Sequence, residues 1–123
     1  MASELRVTTI ANNAGTESVD TTYVINGSAK AWGKFEGSDA TLDDSLNCSS
    51  LTDNGAGDFN PQFSSNMSSE HFAAAADADY NILQQSNARA GGQATGTVRI
   101  ATADTGSFSD EDNTSFSCHG DLA

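Results

Sequence analysis

The chain has 123 residues, with 17 acidic side chains against 5 basic ones and a formal net charge of −12. Valine, isoleucine, leucine and phenylalanine together make up about 16% of it, a fraction close to that of chains that cannot fold alone. The acidity excludes a phosphate-neutralising surface and disfavours anionic membranes, since the few basic residues, Arg6, Lys30, Lys34, Arg89 and Arg99, are scattered and nucleic-acid binding needs them clustered.

"ELRVTTI", residues 4–10, alternates Leu5, Val7 and Thr9 with Arg6, Thr8 and Ile10 and predicts a strand. The start of the chain lacks the apolar core of a secretory signal. "ANNAGTESVD" reads as a loop, and "TTYVI" as a short strand closed by the turn "NGS". In "SAKAWGKFEG", Gly33 lies between Trp32 and Phe35, whose odd spacing predicts a bulge or bend. "SDATLDD" reads as a polar loop.

"SLNCSSL" places Leu46, Cys48 and Ser50 on one face, with Leu51 breaking register. "SSLTDNGAGDFNPQF" then predicts a hairpin. Gly55 and Gly57 supply positive φ at its turn, and Phe59, Pro61 and Phe63 recur at every second position. Pro61 has no N–H to donate, which predicts an edge strand. Phe72, Ala74, Ala76, Ala78, Tyr80 and Ile82 keep period two, so "SSEHFAAAADADYNILQQ" reads as a strand in preference to a helix. "SNARAGGQATG" reads as a loop with Gly91 and Gly92 at its tip. "TVRIATA" reads as a strand with Val98 and Ile100 inward, and "DTGSFSDEDNT" as an acidic loop. The last strand, "SFSCHGDLA", alternates Phe116, Cys118, Gly120 and Leu122.

These elements predict one all-β fold, an antiparallel β-sandwich or small barrel-like domain of seven to eight short strands. The scarcity of large apolar residues implies a core completed by other copies of the chain, a closed trimer being an economical form. The hairpin's aromatic face is expected to pack on its own sheet and on a neighbouring subunit.

The inventory predicts no enzyme, no cofactor and no metal site. His119 follows Cys118 directly, and adjacent strand residues point to opposite faces. A nucleophile pair of Cys48 with His71 and an acid pair of Asp43 with Asp44 are weak candidates. "DADY" and "SDEDNT" group oxygen donors without the EF-hand pattern. Cys48 and Cys118 each sit where a valine would fit, which predicts free thiols acting as small apolar residues.

A longer pattern runs through "AKAWGKFEGSDATLDDSLNCSSLTDNGAGDFNPQFSSNM", residues 29–67. It resembles a domain of tailed bacteriophages, especially marine ones, found in tail-fibre and virion structural proteins. Ala29, Lys30, Ala31, Trp32, Phe35, Gly37, Asn47, Ser49, Ser50, Thr52, Asp53, Asn54, Gly55, Gly57, Asp58 and Phe63 match it, and "HGDLA" resembles the family's ending. Gly33, Leu46, Cys48 and Pro61 depart from it. The resemblance implies a non-enzymatic subunit of the virion, tail-fibre-like or a capsid fibre or decoration protein. Residues 1–15 would form an attachment segment, with Leu5, Arg6, Val7 and Ile10 docking to capsid or tail proteins. Residues 16–123 would form a trimeric display domain. Trp32, Phe35, Phe59 and Phe63 would pack its core or subunit contacts, and the loops around Asn87 to Thr95 and Ser107 to Thr114 would face outward. The alternative is a carbohydrate-binding receptor-recognition module directed at a host surface glycan.

Overall fold

The computed structural model describes residues 3–78 and 86–123, with the backbone alone at residues 86–90. Two antiparallel sheets form a sandwich that does not close into a barrel. The first sheet holds, in spatial order, β4 (Thr41–Leu46), β3 (Ala31–Glu36), β11 (Thr114–His119) and β7 (Ala73–Asp77). The second runs β5 (Cys48–Gly55), β6 (Asp58–Phe63), β9 (Thr97–Asp104) and β8 (Ser86–Ala94). The short β10 (Ser107–Phe108) pairs with β9 on the side opposite β8, in line with β6.

Period-two patterning decides the core. Ala31, Gly33 and Phe35 of β3, Thr114, Phe116 and Cys118 of β11, and Phe59, Pro61 and Phe63 of β6 are all buried. Val98 and Ile100 of β9 are fully enclosed, as expected. Phe35 meets Phe59 with ring centroids 5.0 Å apart, and Phe63 meets Phe72 at 5.8 Å. The aromatic face of the β5–β6 hairpin is thus covered by the chain's own first sheet. The expectation that it needs a neighbouring subunit is corrected. Few large residues suffice because alanine and glycine on the first sheet let the phenylalanines approach. A Cβ at Gly33 would lie 2.8 Å from the Phe116 ring.

Several loops and edges also require correction. "TLDDSL" is β4, held by pairing with β3, and the turn preceding it spans residues 37–40. The stretch expected as a glycine-tipped loop is β8; Gly92, at φ 55°, marks a register shift within it and does not form its tip. Its reversal lies at Thr95 and Gly96. Polar or small residues can form such strands because ladder bonds to an apolar neighbour hold them. Pro61 lies in an interior strand, between β5 and β9. Phe63 donates its N–H to Gly96 O (2.8 Å) on the β9 side, so by alternation the missing N–H of Pro61 falls on that side too. There the β6–β9 ladder is interrupted, and Thr97 Oγ1 donates to Pro61 O (2.6 Å). β7 and the residues flanking it keep the expected alternation, with Phe72 buried and Ala74, Ala76 and Ala78 half-buried; Tyr80 and Ile82 lie outside the described residues.

Asn47, at φ 59°, turns the chain from the first sheet to the second. It donates Nδ2–H to Ser65 O (2.9 Å) and accepts from Ser65 N on Oδ1 (2.7 Å). Gly55 and Gly57 adopt φ 127° and 63°, as the hairpin requires. The acidic stretch 109–113 closes one end of the sandwich. Asp110 Oδ1 accepts from Gly57 N (2.7 Å), Asp112 Oδ1 accepts from Ser38 N (3.1 Å), and Glu111 O accepts from Gly37 N (3.1 Å). The buried hydroxyls of Thr102 and Thr114 donate to Ser109 O (2.6 Å) and Glu111 O (2.7 Å).

Residues 9–27 form a separate small unit. β1 (Thr9–Ala11) pairs with β2 (Ser18–Asp20), and α1 (Thr21–Gly27) follows. The "TTYVI" strand is therefore a helix. Strand-forming residues yield to local capping here, because among the described residues no strand pairs with the segment.

Candidate functional site

In the N-terminal unit no residue of β1, β2 or α1 is buried, and all but Thr21 are exposed. Local bonds define its geometry. Asp20 caps α1 by accepting from Thr22 N on Oδ1 (2.7 Å), and the Thr22 hydroxyl together with that N–H holds its carboxyl below the ordinary carboxylate range. Ser28 N donates to Val24 O (3.1 Å), while Lys30 Nζ donates to the carbonyls of Ile25 and Ser28 at the helix end, where a cation is favoured. Thr21 ties the helix to the preceding extended chain, donating its hydroxyl to Val7 O (3.0 Å) and its N–H to Thr8 O (2.9 Å).

Leu5, Val7 and Ile10 consequently line one groove with Val24 and Ile25, together with Glu4, Arg6 and Thr21. The groove encloses about 440 Å³. Its two charges pair, Arg6 Nη2 to Glu4 Oε2 at 2.9 Å, so it carries no net charge. The sequence-predicted residues Leu5, Arg6, Val7 and Ile10 are thus brought together. Val24 and Ile25 were missed as part of the site, since "TTYVI" reads as a strand. The signal available was Asp20 as an N-cap with Lys30 just beyond the helix end.

A second surface lies on the outer face of the first sheet. Phe35, Phe59 and Phe63 enter the core, but Trp32 does not belong to it. Gly33 must face inward beneath Phe116, so alternation turns Trp32 outward. It is half-buried, with cross-strand partners Leu46, which is 47% exposed, and Ser117. Beyond Ser117, a shallow depression of about 240 Å³ is lined by Ala75, Asp77 and Ser115 among others. Lys34 bridges Glu36 and Asp43, each at 3.3 Å, and these partners raise its pKa.

The reactive residue types are dispersed. Cys48 and Cys118 are free. Burial pushes the Cys48 thiol up to about 11. Burial, with a smaller contribution from Cys48, pushes Cys118 up to about 12. Such thiols are poor nucleophiles. Cys48 Sγ faces Trp32 O at 3.8 Å, whereas His71 lines a separate polar pocket with Asn26, Ser68 and Asp121. Asp43 is engaged by Lys34. Among the described residues, no three His, Cys, Asp or Glu side chains converge as a metal site. Two carboxylates of "SDEDNT" accept backbone N–H groups of neighbouring turns. No described helix is long and apolar enough to cross a membrane.

No protein-family model, curated protein or solved structure matches this chain.

Proposed function

We propose that this chain is a non-enzymatic bacteriophage virion structural protein, a tail-fibre-like or capsid fibre or decoration subunit that assembles as a trimer on the particle. The observation that carries this reading is the division of labour within the chain. The sandwich buries Phe35, Phe59, Phe63, Phe72 and Phe116, while the N-terminal segment and the small unit that follows it leave Leu5, Val7, Ile10, Val24 and Ile25 exposed on a groove without net charge. A contiguous apolar patch on a small protein marks a contact surface. The resemblance of residues 29–67 to phage virion proteins supports the same assignment. The N-terminal unit faces the particle and the sandwich projects outward. Gold-labelled antibody to this chain should decorate intact virions at the head or the tail. Particles that carry no label, with the chain recovered only from the lysate supernatant, would overturn the reading.

A second reading is favoured by Trp32. An outward tryptophan beside a shallow depression with serine and aspartate at its margin suits a sugar ring. The apolar face of the sugar stacks on the indole and its hydroxyls meet the polar rim. This would make the displayed face a receptor-recognition surface for a host glycan. A glycan array probed with wild-type protein and Trp32→Ala tests it, with specific signal lost in the variant as the expected result. Silence of both proteins on the array at high concentration counts against it.

A further inference from the structure

We infer that the groove between the extended N-terminal segment and α1 is a self-association surface, occupied in solution by a second copy of this chain. This names a surface through which copies of the chain meet and rests on the self-assembly part of the display reading. Three observations support the occupant.

The first is that the unit does not hold together by burial. A two-stranded ribbon is marginal in water, as is a seven-residue helix, and here neither buries a residue. The second is area. Of the apolar residues that line the groove, Leu5 is 84% exposed, Ile25 59% and Ile10 48%, with Val7 and Val24 near 40%. Taking about 150–180 Å² for a fully exposed aliphatic residue, near the lower end of the aromatic range, these five offer roughly 400–500 Å². Two copies would then bury about 800–1,000 Å² in total, the size of a weak, concentration-dependent contact.

The third is charge. Residues 3–28 contain only Glu4, Arg6, Glu17 and Asp20 as charged side chains, a net −2 of the chain's −12. Two copies meeting through their sandwiches would bring strongly acidic surfaces together. Copies meeting groove to groove place the least charged surfaces in contact, with Glu4 and Arg6 already neutralising one another. A cationic partner would be drawn to the sandwich and not to this groove.

The test is light scattering coupled to size exclusion on the full chain at micromolar concentration in physiological salt. Wild type should elute at a multiple of the 12.7 kDa protomer. The double variant Leu5→Asp with Ile25→Asp should associate about tenfold or more weakly while keeping the circular dichroism and melting of the sandwich. Leu46→Asp, which places the same charge on the outer face of the first sheet, should leave the mass unchanged. A wild-type monomer overturns the inference, as does an oligomer that survives the double variant or is dissociated by Leu46→Asp. Virion labelling is independent of this result, so the display reading can fail while the contact surface stands, and the reverse.

Discussion

Gly57→Ala tests how the two hairpins and the acidic stretch lock one end of the sandwich. Gly57 sits at φ 63°, and a Cβ built there would lie 2.2 Å from Thr102 O and 2.7 Å from Ser109 N. The left-handed conformation alone costs an L-residue about 1–2 kcal/mol. The clash is with backbone, so no side chain can swing aside. Relief requires β9 or the following loop to withdraw, which strains the Thr102 N to Gly57 O bond (2.9 Å) and the Gly57 N to Asp110 Oδ1 bond (2.7 Å). At about 1 kcal/mol per bond, the total is about 3–4 kcal/mol, a large share of the ~5–15 kcal/mol of a typical domain. Gly106→Ala is the matched control. Gly106 has φ 89° but open space around it, so only the conformational part, about 1–2 kcal/mol, applies. Urea denaturation followed by circular dichroism would measure both. If Gly57→Ala destabilises no more than Gly106→Ala, the close approach of strand and turn is wrong.

Two further predictions concern titration and packing. The pKa of each cysteine is raised in the folded state, so an unfolded chain loses its thiol protons first as pH rises above about 9. Stability that is fully present at neutral pH should therefore decline through the alkaline range toward 11 to 12. A Cys48→Ala/Cys118→Ala double variant should lose that part of the decline in pH-dependent thermal melts. Phe59→Ala removes the fully buried ring that meets Phe35 at 5.0 Å and should cost about 3–5 kcal/mol by chemical denaturation. A loss below 1 kcal/mol would mean the two sheets do not pack as described.

The sequence by itself determined the strands in which large and small residues alternate. β3, β6 and β11 each carry their buried side on every second residue, and β9 does so through Val98, Ile100 and Thr102 with Ala101 buried as well, because one face of a sheet must leave water and the backbone period is two. It also determined the β5–β6 turn, where positive φ at Gly55 and Gly57 is a local steric requirement. Half of the groove was legible as well, since Leu5, Val7 and Ile10 stand out among polar neighbours.

Only the tertiary structure decided the remainder. Whether "TLDDSL" and "SNARAGGQA" are strands depends on ladder partners distant in sequence, not on their own side chains. Pro61 could enter an interior strand only because the ladder opens opposite its missing N–H. The acidic stretch 109–113 became a structural clamp because the turns at Gly37 and Gly57 bring unpaired N–H groups to it. Trp32 faces outward because the position beside it must be glycine to admit Phe116 from the neighbouring strand. Each of these outcomes depends on a neighbour brought close by folding, and no local pattern records which neighbour that is.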